Sequence, residues 1–211
     1  MPTRPSLAAA LLCALAAPAP AQEVQPIAAM RLSAELFQAA QALSDPLLMI
    51  ASAKLRKSVA LDRVERAPEE GDAADVPDPG ALDWQAMLAE AEALAAGDPT
   101  LAGLVDDVRV ETTKGVASGQ VYSRTTIRGG GRNTYAGLVF DGGTYADVYV
   151  EAGAGADLNL FVTDAQGRLV CSDTDLSAIA YCGWRPEARA AFTIEVRNAS
   201  NRGTPYDLMT N

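Results

Sequence analysis

The fold class is decided by residues 156–175, which read ADLNLFVTDAQGRLVCSDTD. Apolar side chains recur there at every second position, which is typical of a strand that buries one face. The residues expected on the buried face are Leu158, Leu160 and Val162, and those on the other face are Asn159, Phe161 and Thr163. Gly167 marks a turn, after which a second strand follows.

Short alternating runs of the same kind continue on both sides of this stretch. They predict strands at 108–113, 119–127, 134–140, 144–151, 157–163, 168–172, 178–182, 190–197 and 205–210. Ten of the 12 aromatic residues and most of the glycines lie after Val108. We therefore predict that residues 108–211 form an antiparallel β-sandwich of jelly-roll type.

The second half of the chain also carries a set of sequence motifs: an Asp-Leu-x-Leu strand, an Asp-x-x-Gly turn, a strand ending in Ser-Asp, a Val-x-Asn strand and a closing Tyr-x-Leu. These motifs fall on Asp157, Leu158, Leu160, Asp164, Gly167, Ser172, Asp173, Val196, Asn198, Tyr206 and Leu208. With them, residues 130–211 resemble the bacterial pre-peptidase C-terminal domain. The resemblance implies an extracytoplasmic β-sandwich that is appended to a secreted enzyme and acts in secretion, folding or substrate contact. The other half of this chain has no recognisable catalytic motif, so the resemblance extends to fold and compartment and not to proteolysis.

Residues 22–107 are rich in Ala, Leu and Glu, with apolar residues three or four positions apart, which predicts amphipathic helices. Asp45, Asp83 and Asp98 stand where helices begin, and Pro46 and Pro99 follow two of them at the first helical position. These helix-start signals predict two αα-hairpins. An acidic stretch at 67–80 separates them, and we expect its carboxylates to have no basic partner nearby. They are Glu69, Glu70, Asp72, Asp75 and Asp78. The stretch is interpreted as a mobile solvated linker, with contact to a cation or a cationic partner as the alternative.

Residues 1–21 have the features of a secretory signal peptide. A short basic start precedes the apolar run from Leu7 to Ala17, and Ala19 and Ala21 are the small residues expected before cleavage at Gln22. We expect a periplasmic or secreted protein with no membrane span once the signal is removed. Of the three Cys, Cys171 and Cys182 remain after cleavage, and in an oxidising compartment they predict a disulfide.

The composition excludes several function classes. The chain has 17 basic and 27 acidic residues, a net charge of −10, which argues against binding to nucleic acid. It contains no His, so no Ser-His or Cys-His nucleophile and no imidazole-based zinc site can form. The acidic residues include many pairs of the kind used by glycosidases, but such pairs mean little without geometry. We predict no enzyme activity, no catalytic residues and no tightly bound cofactor.

The candidate metal site uses oxygen ligands near strand ends, which suit calcium. Its residues are Asp157, Asn159, Asp164, Asp173 and Asp175. The alternative is that these Asp side chains cap their own turns. Gly129 to Gly131 lack the Lys of a phosphate-binding loop and are interpreted as a hairpin loop. Trp184 is expected to pack against the disulfide, with sugar stacking as the alternative.

Together these features predict an exported, non-enzymatic protein whose sandwich contacts an envelope protein partner or assists folding or secretion. A carbohydrate- or calcium-dependent binding module is the alternative function. A small hydrolase that works without His is the third. The partner could thus be a protein or a glycan, and the sequence does not decide between them.

Overall fold

The computed structural model describes residues 25–112 and 119–211, and it confirms the predicted α+β architecture of helices followed by a β-sandwich. The helices are α1 (Pro26–Leu43), α2 (Pro46–Lys57), α3 (Trp84–Ala95) and α4 (Pro99–Val110). The strands are β1 (Asp62–Arg63), β2 (Glu70–Gly71), β3 (Val121–Ile127), β4 (Arg132–Phe140), β5 (Ala146–Ala152), β6 (Leu158–Asp164), β7 (Leu169–Asp173), β8 (Ile179–Trp184), β9 (Ala190–Asn198) and β10 (Thr204–Thr210). The predicted signal peptide, 1–21, lies outside the described residues. None of the helices within them is long and apolar enough to span a bilayer.

Three of the four helices begin at the predicted caps. The Asp45 carboxylate accepts the N–H groups of Leu47 and Leu48 at 2.9 and 3.1 Å, and Asp83 and Asp98 cap α3 and α4 in the same way. The helices pack their apolar stripes into one shared cluster. Its buried members are Phe37, Ala40, Met49, Ile50, Ala53, Met87, Leu88, Ala91, Val105 and Val108. The two predicted helical hairpins therefore form a single packed layer.

The sandwich consists of two five-stranded sheets. Sheet A has the order β1-β3-β10-β5-β8, and sheet B has the order β2-β4-β9-β6-β7. Every pairing is antiparallel except the short β1–β3 pair. Most connections between β3 and β10 cross from one sheet to the other, as in the predicted jelly roll. The inward faces form the main core, which includes Tyr135, Val148, Val150, Leu158, Leu160, Ile194, Val196, Tyr206 and Leu208.

The acidic segment between the helical hairpins is part of the sandwich. Residues 62–80, which we call the strap, add β1 to the edge of sheet A and β2 to the edge of sheet B. Asp72 forms an ion pair with Arg128 at 3.0 Å, and Asp78 forms one with Arg124 at 2.7 Å. The prediction that these carboxylates lack basic partners is wrong, because the partners come from a strand and a strand end far along the chain.

Two local predictions are also corrected. The predicted strand 108–113 is wrong, since α4 continues to Val110 and buries Val108 against the other helices; residue 113 lies outside the described residues. The glycines 129–131 do not form a hairpin, because they join β3 of sheet A to β4 of sheet B. A Cβ at Gly129 would lie 2.4 Å from the carbonyl carbon of Asn201, so this crossing requires a residue without a side chain.

The helical layer covers the outer face of sheet A. Ile27, Met30 and Ala34 of α1 pack against apolar and aromatic side chains of β5, β8 and β10. The buried residues on the sheet side are Tyr149, Ile179 and Met209. Strand β5 is consequently buried on both faces, whereas its alternating sequence predicts one buried and one exposed face.

Candidate functional site

The five residues predicted to bind calcium are spread over the sandwich. Asp164 is the last residue of β6, and its Oδ1 accepts the backbone N–H groups of Gln166 and Arg168 in the following turn at 2.9 Å each. The backbone hydrogen bond from Arg168 is the main cause of a lowered pKa at Asp164. This carboxylate therefore caps its own turn, which was the alternative interpretation.

The other four residues are no better placed for a shared ion. Asp173 Oδ2 accepts the backbone N–H of Tyr181 at 2.9 Å, and its Oδ1 accepts that of Asp175 at 3.3 Å. Asp157 and Asn159 stand at the start of β6, about 23 and 16 Å from Asp164 by the rise of a strand. Within the described ranges no three His, Cys, Asp or Glu side chains are grouped for a metal ion. Calcium binding by this set stays a prediction that the geometry does not support.

The predicted disulfide is confirmed. Cys171 of β7 and Cys182 of β8 are bonded, with Cα atoms 5.8 Å apart. Because β7 is an edge strand of sheet B and β8 is an edge strand of sheet A, the bond ties the two sheets together at one side of the sandwich. Trp184 packs nearby in the sandwich core, edge-on to Phe140 and Phe192 with ring centroids 4.9 and 5.1 Å apart.

The outer face of sheet B is the face that the helical layer does not cover. Cross-strand register places the outward side chains in rows. One row contains Thr134, Glu195, Phe161 and Ser172. The adjacent row contains Arg132, Arg197 and Asn159. These side chains are exposed or half-buried, so they are available to a ligand.

Two guanidinium groups on this face share one carboxylate. Arg197 Nε donates to Glu195 Oε1 at 2.5 Å, and Arg132 Nη1 lies 3.5 Å from Glu195 Oε2. The guanidinium of Arg197 also lies over the Phe161 ring, 4.4 Å from its centroid. The cluster of Arg132, Glu195, Arg197 and Phe161 carries one net positive charge, and we call it the arginine patch.

A shallow depression of about 620 Å³ adjoins the arginine patch and extends to the strap. Asp72 borders it, and its Oδ2 accepts the backbone N–H of Arg132 at 2.9 Å. That hydrogen bond is the main cause of the lowered pKa of Asp72, so this carboxylate stays charged and fixed in place. Asn159 also lines the depression, and its amide makes no hydrogen bond to any residue in the described ranges.

Sequence reasoning missed a second group of charged side chains, beneath the helices. Glu151 of β5 accepts two hydrogen bonds from Arg56 of α2, both at 2.9 Å, and one from the Tyr149 hydroxyl at 3.1 Å. Burial would lower the pKa of Arg56, but Glu151 raises it above its usual value. Asp207 of β10 lies opposite Glu151 and accepts from Arg124 at 2.7 Å. Alternation alone predicts these positions to be exposed, and no sequence signal reveals the helices that bury them.

No protein-family model and no curated protein matches the chain. Among solved structures, it is similar to the pre-peptidase C-terminal domain of a collagenase from Bacillus anthracis, at 12% identity over 44% of this chain and 89% of that chain, with a TM-score of 0.36. The domain family that the sequence motifs resemble is thus represented among the similar structures.

Other similar structures have different roles. PliG of Aeromonas hydrophila, a periplasmic inhibitor of g-type lysozyme, is 20% identical over 48% of this chain and 91% of that chain, with a TM-score of 0.33. A carbohydrate-binding module of a laminarinase from Zobellia galactanivorans is 10% identical over 40% of this chain and 75% of that chain, with a TM-score of 0.27. Each likeness covers less than half of this chain, and the ligands that those names mention belong to those proteins.

Proposed function

We propose that the chain is an exported, non-catalytic binding protein that contacts an acidic segment of a protein partner through the outer face of sheet B. The observation that carries the proposal is the arginine patch. Its two guanidinium groups share the single carboxylate of Glu195, on a chain whose net charge is −10. A carboxylate of the partner would supply the missing counter-charge through charge-assisted hydrogen bonds.

The surroundings of the arginine patch favour the surface of another protein as its binding partner. Arg and aromatic side chains are the residue types that contribute most to protein interfaces. Stacking on Phe161 holds the Arg197 guanidinium in one orientation, which reduces the entropy lost on binding. Val139 and Leu169, exposed by 52% and 61%, add apolar area farther along the same sheet. The depression beside the arginine patch gives a side chain of the partner a place to insert.

Two further observations support parts of the proposal. The disulfide between the sheets is typical of an oxidising compartment, which supports export to the periplasm or beyond. The absence of His from all 211 residues supports a non-catalytic role. Assistance with folding or secretion would use the same surface, with the partner as the assisted protein.

A glycan is the second candidate ligand. The free amide of Asn159 adjoins the half-buried ring of Phe161, and an amide beside an aromatic surface can bind sugar hydroxyls and a sugar ring. This candidate uses the same depression but does not require both arginines. Substitution of the arginines therefore separates it from the acidic protein partner.

The test is affinity capture from the native envelope with the mature protein, followed by mass spectrometry and glycan analysis. The test variant is the double substitution Arg132→Gln and Arg197→Gln. The control variant is Arg189→Gln, which removes an exposed arginine that pairs with Asp141 at 3.1 Å outside the arginine patch. We expect one protein to be retained by the wild type and the control, and to be lost with the double variant or at high salt. Retention of that protein by the double variant, or capture of glycan alone, would refute the acidic partner.

A further inference from the structure

A cleft of about 710 Å³ lies between the helical layer and the sandwich. Side chains of α1 and α3, the end of the strap and the turn after β5 contribute to its lining. Phe37, Leu82 and Leu176 give the cleft apolar area, and Gln38 and Gln41 give it amide groups. The cleft lies against sheet A, so it is separate from the arginine patch on sheet B.

Two buried carboxylates line this cleft side by side. Glu151 and Asp207 are cross-strand neighbours on β5 and β10, with side chains exposed by only 7% and 5%. Both oxygens of Glu151 are occupied by the hydrogen bonds from Arg56 and Tyr149. Glu151 therefore has a complete set of partners within the protein.

Asp207 does not have a complete set of hydrogen-bond partners. Its Oδ2 accepts from Arg124, but its Oδ1 is shielded from solvent and accepts no hydrogen bond from any residue in the described ranges. A buried carboxylate oxygen without a donor costs free energy, and such an atom is uncommon in a folded protein. Burial raises the pKa of Asp207 to about 6, against the opposing effect of Arg124. The unpaired oxygen is the group for which a ligand would supply the donor.

The charges around Asp207 favour a cationic donor. Arg124 already has other hydrogen-bond partners, since its guanidinium also donates to Asp78 and to the carbonyl oxygen of Gly80. In and beside the cleft, four carboxylates face two guanidinium groups. The carboxylates are Asp78, Glu90, Glu151 and Asp207, and the guanidinium groups are Arg56 and Arg124. An additional positive charge would therefore be stabilised there.

We propose that the cleft binds a primary ammonium group on an alkyl chain, with Asp207 Oδ1 as its acceptor and counter-charge. An ammonium group has three donors and fits one unpaired oxygen as a compact charge, whereas a planar guanidinium needs two acceptors side by side. The alkyl chain would lie against the apolar lining of Phe37 and Leu82. A lysine side chain of a polypeptide and a free aliphatic amine share this chemistry.

The experiment measures binding to the full mature protein by calorimetry with three probes. Nα-acetyl-lysine amide presents the ammonium, Nα-acetyl-norleucine amide presents a similar alkyl chain without it, and pentylamine presents the free amine. We expect the lysine probe to bind at least tenfold more tightly than the norleucine probe at pH 7.5. Pentylamine binding alongside the lysine probe identifies a site for free amines, and lysine binding alone identifies a site for polypeptides.

The variants test whether Asp207 is the acceptor. Asp207→Asn should weaken binding of the lysine probe at least tenfold, and Asp141→Asn, which removes an exposed carboxylate outside the cleft, should leave it unchanged. If Asp207→Asn does not fold, Leu82→Ala at the 38% exposed lining residue should still weaken binding. The double variant of the arginine patch should bind the lysine probe normally, so this site and the proposed function can fail separately.

Three results would overturn the inference. Equal affinity for the lysine and norleucine probes would make the cleft a purely apolar site. Unchanged affinity in a folded Asp207→Asn protein would exclude Asp207 as the acceptor. No binding of either amine at about 1 mM, the weak end of specific binding, would leave an internal water as the donor to Asp207.

Discussion

Replacing Arg56 with methionine would break the ion pair that joins the helical layer to the sandwich. The side chains of Arg56 and Glu151 are exposed by only 5% and 7%, and their two hydrogen bonds are both 2.9 Å long. Arg56 Nε also donates to the Ser33 hydroxyl at 3.1 Å, so the guanidinium links α1, α2 and β5. Methionine keeps much of the apolar stem of the side chain and removes the charge.

The expected loss of stability is about 3–5 kcal/mol, because Glu151 would remain as a buried carboxylate with only the Tyr149 hydroxyl as a partner. That is a large part of the total stability of a typical domain. The double variant Arg56→Met and Glu151→Leu should recover most of the loss, because it leaves no unpaired charge. Arg189→Met removes an ion pair whose side chains are exposed by 73% and 69%, and it should change stability little.

Urea unfolding followed by tryptophan fluorescence provides the measurement. Trp84 begins α3 and Trp184 ends β8. In a Trp84→Phe background the remaining Trp184 reports the sandwich, and in a Trp184→Phe background the remaining Trp84 reports the helical layer. In Arg56→Met we expect the Trp84 signal to change at lower urea than the Trp184 signal. A loss below about 1 kcal/mol, or a double variant as unstable as the single one, would refute the assigned role of the buried pair.

Three other predictions concern the disulfide, Asp207 and the N-terminus. Cys171→Ala with Cys182→Ala should lower the free energy of unfolding in urea by about 3 kcal/mol and preserve the fold, and two reactive thiols in the unfolded, unreduced wild type would contradict the bridge. Because the folded-state pKa of Asp207 is raised from 3.8 to about 6, the native state binds this proton more tightly than the unfolded state does, and stability should fall as pH rises through that window. This pH-dependent contribution is about 3 kcal/mol and should be missing in Asp207→Asn. A difference in stability between the wild type and Asp207→Asn that stays constant from pH 4 to 7 would contradict the prediction. The protein purified from the envelope should lack residues 1–21 by intact-mass measurement, and recovery of the full-length mass would contradict export by cleavage.

Much of the local structure could be predicted because it depends on neighbouring residues. The carboxylates of Asp45, Asp83 and Asp98 cap helices within three residues of themselves. Alternation placed Leu158, Leu160 and Val162 on the buried face of β6. The pairing of Cys171 with Cys182 could be predicted because only two cysteines follow the predicted signal peptide.

The sequence-based predictions are wrong where the local preference of a segment for one secondary structure competes with tertiary packing. Residues 108–110 have a β-type pattern, but Val108 lies one helical turn after Val105 and both are buried among the helices. The strap contains Pro, Gly and acidic residues, yet β1 pairs with β3 and β2 pairs with β4, at sheet edges that lie far along the chain. Their stability comes from those edges rather than from their own sequence.

By itself, the sequence determined most elements of this protein: helices then the main strands, the positions of their caps and turns, the inward face of those strands and the disulfide. It did not determine β1, β2 or the extension of α4 to Val110. Tertiary structure alone decided that the helices cover the outer face of sheet A and leave the outer face of sheet B open. Alternation separates two faces of β5 but does not indicate that α1 and α2 lie on the face of Tyr149 and Glu151. Arg56 and Glu151 are separated by 95 residues, so their pairing depends on how the two layers dock. The same docking leaves the arginine patch open on sheet B and forms the cleft at Asp207, because a binding surface is made by elements that meet only in the folded chain.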